Sequence, residues 1–244
     1  MNIIYFVISE SQIDPSGAID RCGCGPFSVV VSSVVNAVPL YSGIQHIHTL
    51  MGLLICDGLD SNWDLSDQIT DRSLILLNVP ALDTLVLESC PRVGDNAVEH
   101  LIVSSCELTS LTVAGCPMFS DRSMMVILGL VCMPLTSLDL SGAVGLSSHW
   151  FCTYAESFPH GHLHTLDISF NLWVDDLVMS SLTLLPIRTL VCCECESITM
   201  AGWRHLQGLT NSLTSLSVRN NSLVNDASLA ELASLRLKTL ILTG

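Results

Sequence analysis

A chain of 244 residues, 49% hydrophobic and 13% charged, can bury a sizeable core, and that balance excludes an intrinsically disordered chain. Its net charge of −14, from 9 Lys+Arg against 23 Asp+Glu, argues against nucleic acid and anionic membrane surfaces as partners, because neutralising phosphate needs clustered cations. No apolar run reaches the roughly 18 residues of a membrane-spanning helix; the longest candidate, residues 27–40, is broken by Ser32, Ser33 and Asn36.

The first apolar stretch runs from Ile3 to Ile8. It is shorter than a signal-peptide core and has no basic flank, so it reads as a buried strand, and an intracellular site, cytoplasmic or nuclear, is expected. Cys22-Gly-Cys24-Gly-Pro26 reads as a turn. Phe27, Val30, Val31, Val34, Val35 and Val38 follow a helical spacing and predict an amphipathic helix. Residues 1–49 are therefore expected to form a divergent first repeat or N-terminal cap.

From residue 50 onward the chain repeats itself. Leu82, Leu85, Leu87 and Cys90 form an L-x-x-L-x-L-x-x-C unit. The unit returns at Leu108, Leu111, Val113 and Cys116, then at Leu135, Leu138, Leu140 and Ala143. It continues with Leu163, Leu166, Ile168 and Asn171, with Ile187, Leu190, Cys192 and Cys195, and with Leu213, Leu216, Val218 and Asn221. A last copy opens at Leu237, Leu240 and Leu242 and is read as truncated at Gly244. Successive first positions lie 26, 27, 28, 24, 26 and 24 residues apart, the spacing of a leucine-rich repeat. A weaker copy precedes them at Leu50, Leu53, Ile55 and Gly58, with an insertion over residues 60–67.

The second half of each unit is equally regular. Ile69-Thr-Asp71, Val93-Gly-Asp95, Phe119-Ser-Asp121, Val174-Asp-Asp176 and Val224-Asn-Asp226 share one register, and Leu146-Ser-Ser148 and Ile198-Thr-Met200 fill it without the Asp. Helical patterns follow, such as Ala97, Val98, Leu101 and Ile102. A polar residue there can cap the free N–H groups of the helix, and an Asp suits the positive end of its dipole. These five carboxylates are thus expected to serve helix starts.

Residues two apart on a strand share a face, so positions four and six should point into the core, flanked by position one and the Cys or Asn of position nine. One unit cannot bury this row; stacked units share a continuous core. The expected fold is an α/β leucine-rich-repeat solenoid over residues 50–244, a horseshoe with parallel strands on the concave face and helices on the convex face.

These units resemble the cysteine-containing leucine-rich repeats, L-x-x-L-x-L-x-x-C-x-x-I-T-D-x-x-L. That subtype is best known from F-box/leucine-rich-repeat proteins, the substrate receptors of cullin-type ubiquitin ligases. The resemblance covers roughly residues 50–244 and implies a ligase-linked binding role. No F-box is recognisable upstream of Leu50.

Eleven cysteines raise metal and disulfide questions. Cys192 and Cys195 of the Cys192-Cys193-Glu194-Cys195 run fall on positions six and nine, which makes them core residues and leaves Cys193 facing the concave side. The His160-Gly-His162-Leu-His164 run lacks a neighbouring Cys or carboxylate at ligand spacing. No G-x-S-x-G elbow, phosphate-binding Gly loop or H-E-x-x-H is present. Hence no cofactor, metal or catalytic set is expected, and the chain is not expected to be an enzyme.

The concave face remains. Position three is a hydroxyl in every unit: Thr84, Ser110, Ser137, Thr165, Thr189, Ser215 and Thr239. Positions five and seven place Asp139 beside Asp167 and carry Glu88, Ser141, Ser169 and Arg219, with Phe170 as an exposed aromatic anchor. Like charges one strand apart, about 4.8 Å, repel, a cost that a basic partner relieves. The expected function is a protein–protein interaction scaffold, as substrate-recognition subunit of an SCF-type ubiquitin ligase. The alternatives are a scaffold like ribonuclease inhibitor or a GTPase regulator, and more remotely a metal-dependent enzyme.

Overall fold

The computed structural model describes residues 70–75, 82–103, 108–129, 135–158, 161–222 and 224–242, together with two N-terminal strands. Those two, β1 (Ile3–Ile8) and β2 (Phe27–Ser32), pair antiparallel. Seven strands follow: β3 (Leu82–Leu87), β4 (Ser110–Thr112), β5 (Ser137–Asp139), β6 (Thr165–Asp167), β7 (Thr189–Val191), β8 (Ser215–Ser217) and β9 (Thr239–Ile241). All nine form one sheet in sequence order, parallel from β2 to β9.

The strands alternate with helices α1 (Asp71–Ile75), α2 (Asp95–Val103), α3 (Asp121–Gly129), α4 (Ser148–Ser157), α5 (Asp176–Ser181), α6 (Met200–His205) and α7 (Asp226–Leu232). Consecutive helices pack against each other as consecutive strands do. The chain is an α/β leucine-rich-repeat solenoid, with its strands lining one face and its helices the other.

The helix expected to begin at Phe27 is a strand over its first six residues. Val29, Val30 and Val31 are stiff at χ1 and fit a pleated surface better than a helical turn, and β2 pairs with both β1 and β3. The Cys22–Pro26 turn, the weak copy at Leu50 to Gly58 and the 60–67 insertion lie outside the described residues.

The repeat lattice is seen in the packing. Positions four and six are fully buried from Leu85 and Leu87 through Leu216 and Val218, and the occupants of position nine, Cys90, Cys116, Ala143, Asn171, Cys195 and Asn221, are buried with them. In the last unit Leu240 and Leu242 are 44% and 43% exposed, since no further described strand covers them. From β3–β4 onward each strand pair spans three residues, and the chain then bends at position eight, which is left-handed in all six units: Ser89, Gly115, Gly142, Phe170, Glu194 and Asn220 have φ between 52° and 64°. Just beyond the bend, Gly145 leaves room for the previous unit; a Cβ there would strike the carbonyl oxygens of Phe119 and Pro117.

Position nine ties each bend to its predecessor. Cys116 Sγ donates to Leu87 O, Cys195 Sγ to Ile168 O, Asn171 Nδ2 to Leu140 O and Asn221 Nδ2 to Cys192 O. In every case the acceptor is the sixth-position carbonyl of the preceding unit. Cys and Asn are therefore two donors for one slot, weaker through sulfur and stronger through the amide.

The recurring Asp does something other than cap its own helix. It stands at the first helical residue, and its carboxylate accepts from the helix start of the next unit. Asp71 takes Gly94 N–H at 2.7 Å, Asp95 takes Ser120 N–H at 2.8 Å, Asp121 takes Ser147 N–H at 2.8 Å and Asp176 takes Thr199 N–H at 2.8 Å. The Ser120, Ser147 and Thr199 hydroxyls donate to the same carboxylates. Against the cost of burial, the hydrogen bonds from Ser120 and Ser123 hold the Asp95 carboxyl below its ordinary range. Capping itself falls to the residue before: Asp175, Thr199 and Asn225 accept from their own helices' first N–H groups. Where Asp175 is the cap, the preceding unit carries Ser148 in place of Asp, which avoids setting two carboxylates against each other.

Between α4 and the following bend, aromatic rings replace the carboxylate tie. Trp150 packs edge-on against Phe151 and Trp173, with centroids 5.4 and 5.9 Å apart. Trp173 Nε1 donates to Ala143 O at 3.1 Å, where position nine has no donor of its own.

Candidate functional site

Position five is where the strand face carries charge. Asp139 and Asp167 are direct cross-strand partners on β5 and β6. Each carboxylate also closes a local turn: Asp139 Oδ1 accepts Ser141 N–H and Asp167 Oδ1 accepts Ser169 N–H, both at 2.9 Å. That explains why an Asp is tolerated at the strand end. The like-charge pairing is a cost that the turns leave in place. Burial raises the Asp167 carboxyl above its ordinary range; hydrogen bonds from Ser169 oppose this and the neighbouring Asp139 charge adds to it.

The sign of that shift leads to a test. An acid whose folded pKa lies above its unfolded value, about 3.9, contributes its full stability below that pH and loses it as pH rises through the folded value. Ionised Asp167 therefore burdens the fold at neutral pH. Asp167→Asn keeps an oxygen to accept Ser169 N–H and cannot ionise. In urea melts it should match or exceed the parent at neutral pH, with a lead that shrinks as the pH approaches about 4. A variant clearly weaker at neutral pH would show that the carboxylate stabilises the turn more than its charge costs.

The other expected contact residues divide. Ser141 is half-buried beside Asp139, Glu88 lies two units toward the N-terminus, and Arg219 is exposed two units beyond Asp167. Phe170 follows directly at the bend and is 55% exposed. Ser169 is not a surface residue; it is 2% exposed, and its hydroxyl accepts Cys193 N–H at 3.0 Å. Cys193, expected to face the concave side, is also buried, with its Sγ 3.4 Å from Ser217 Oγ. At position seven the chain is already turning into the bend, so small side chains fold against the next unit while the long Arg219 reaches out.

Cys192 and Cys195 are core residues. Burial raises Cys192 well above the ordinary thiol range and pushes Cys195 up to about 12, so both stay protonated and pack as apolar groups. The Cys116 thiol and burial together raise Cys90. Among the described residues no three His, Cys, Asp or Glu side chains are grouped to hold a metal ion. His162 and His164 are described, while His160 lies outside the described residues.

Sequence reasoning missed a second surface feature. Met118, Val144 and Leu172 are 60%, 64% and 73% exposed, just past the bend in three consecutive units. The signal was available: Val144 and Leu172 are apolar at position ten, where a later unit has Glu196, and Met118 lies one residue beyond that position.

No family model matches the chain, and no curated protein matches it. Among solved structures it is similar to one chain of the crystal structure of the Rad7 and Elc1 complex in yeast, with a TM-score of 0.60 and 21% identity. The match covers 72% of this chain and 45% of that one, so this chain spans less than half the length of its structural neighbour. The likeness is one of fold, and it places the chain among leucine-rich-repeat solenoids.

Proposed function

We propose that this chain is a non-catalytic scaffold whose strand-lined face takes up a partner protein, and that it is the substrate-recognition subunit of an SCF-type ubiquitin ligase in ubiquitin-dependent protein degradation. The observation that carries the scaffold reading is the division of labour along each strand. Positions four and six close the core, leaving positions three and five, apart from buried Ser217, as a largely half-exposed sheet face of hydroxyls, Val86, Val191 and Ile241 with two adjacent carboxylates. On that face Asp139 and Asp167 bond, among the described residues, only to the turns that follow them, so their like charges still face each other across the strands. The similar yeast structure is itself a two-protein complex. The ligase part rests on the resemblance of the Cys90, Cys116 and Cys195 units to the cysteine-containing repeats of F-box receptors. On this reading the protein works in the cytoplasm or nucleus; no helix among the described residues is long and apolar enough to cross a membrane.

A second reading is favoured by the Asp139–Asp167 pair: a scaffold for a basic protein, in the manner of ribonuclease inhibitor or a GTPase regulator, with no link to ubiquitin. Native affinity purification from the cells that make this protein separates the two. Cullin-complex subunits in the eluate support the first. A basic partner without them, released as salt screens the charges, transfers support to the second. Recovery of no specific partner under either condition removes the scaffold reading.

A further inference from the structure

Two of the exposed apolar side chains beyond the bends, Val144 and Leu172, recur at the same position of consecutive units. Backbone hydrogen bonds carry the sheet ladder into position eight: Gly115 N–H donates to Ser141 O, Gly142 N–H to Ser169 O and Phe170 N–H to Cys193 O, at 2.7, 2.9 and 2.8 Å. The segments past the bend are tied unit to unit as well, by the bridge between Gly94 and Met118, by Trp173 Nε1 on Ala143 O and by Ser197 Oγ on Leu172 O at 2.7 Å. Val144 and Leu172 therefore occupy the same position in neighbouring units along one rim, with Phe170 two residues before Leu172 at the bend. This ridge is bounded by charge of a single sign. Asp139 and Asp167 stand on its concave side, and the next unit puts exposed Glu194 and Glu196 at the positions that Phe170 and Leu172 occupy one unit earlier. Arg219, the exposed cation of position seven, is a further unit away.

Phe170 adds a separate observation. Its φ of 60° is left-handed, a conformation disfavoured for a bulky residue, and the two preceding units meet the same demand with Gly115 and Gly142. More than half of the side chain is exposed, so packing does not compensate for the strain. Ser89, Glu194 and Asn220 share that backbone with polar side chains, so what sets this unit apart is a large apolar side chain turned to the surface at the bend.

The geometry points to the rim ridge of Phe170, Leu172 and Val144 as the anchor site for an extended segment of the partner protein, one that sets an apolar side chain on the ridge and lysine or arginine side chains against Asp139, Asp167, Glu194 and Glu196. This rests on the scaffold reading and names the chemistry of the partner. An apolar clamp supplies affinity where water is excluded, and the surrounding carboxylates select a basic segment and speed its encounter.

Short random peptides displayed on phage and selected against the full chain test it. The expected result is enrichment of sequences with an apolar residue beside Lys or Arg. Synthetic copies should bind Phe170→Gly about tenfold or more weakly than the parent and lose affinity with added salt. Phe170→Gly should meanwhile melt no lower than the parent, because glycine relieves the left-handed backbone, so the loss cannot be misfolding. Enriched peptides without basic residues, peptides that bind Phe170→Gly as tightly as the parent, or no enrichment would each overturn the ridge proposal. Peptides that ignore Phe170→Gly yet compete with the natural partner would sink the ridge and leave the scaffold standing, whereas absence of any partner in native purification sinks the scaffold itself.

Discussion

Leu111→Ala should cost about 2–5 kcal/mol of folding stability, while Thr112→Ala, one residue along the same strand, should cost about 0.5 kcal/mol or less. Leu111 is fully buried at position four of its unit, and its β3 and β5 cross-strand neighbours, Leu85 and Leu138, are buried with it. Truncation removes apolar contact on both sides at once and opens a cavity inside a spine that neighbouring units share, where collapse of one side would strain the other. Thr112 points the opposite way, to the half-exposed face. Urea or guanidinium melts of the two variants decide the matter. Equal losses would mean that the strand register, and with it every residue assigned to the concave face, is wrong.

Asn171→Ala comes next, at about 1–3 kcal/mol. The Asn171 side chain is fully buried, and its Nδ2 donates to Leu140 O, Ile168 O and Ser169 O at 2.8, 3.1 and 2.9 Å. Alanine strands these acceptors where water cannot easily replace the donor. Asn171→Cys should be markedly milder, because Cys116 and Cys195 already fill the same slot and donate to the equivalent carbonyls. The exchange also removes Asn171 Oδ1, a buried oxygen with no hydrogen-bond partner among the described residues. Thermal melts that rank the parent and Cys variant together, above Ala, would confirm the slot as a donor site. Ala and Cys falling equally would show that volume alone matters there.

The periodic part of this fold was open to reading from residues because its signal is redundant. A leucine at position four that misled in one unit is corrected by six others, and the hydroxyls of position three fall in cross-strand register from Thr84 to Thr239. What failed were features that depend on how units sit against one another. The Asp of each helix start looked like a cap because a single unit offers nothing else to bind; its true acceptor role toward the next unit exists only once the stacking offset is set. Ser169 and Cys193 looked outward by strand alternation, but alternation lapses where the backbone enters its bend. Phe27–Ser32 was ambiguous for another reason: a run of valines satisfies a helical period and a strand equally well, and β-branching with a free strand edge decided it.

The interruption of the carboxylate ties has a mechanical consequence. Ser148 breaks the series at one joint, where the Trp150–Trp173 packing takes over. Met200 breaks it again between α6 and α7, and there the described side-chain links are Arg204 with Glu231 at 3.0 Å and Gln207 with Glu231, surface contacts worth about 0–1 kcal/mol. The buried Asn221 still ties the two bends across that joint, donating to Cys192 O and accepting Cys195 N–H. In a molecule whose cooperativity passes only between nearest neighbours, the weakness of that joint therefore lies in the helix layer. The segment from α7 through β9 should open as its own foldon, exchanging its amide protons ahead of β4 through β7, so a pulling force or a rising temperature would peel the array from that side before the middle yields.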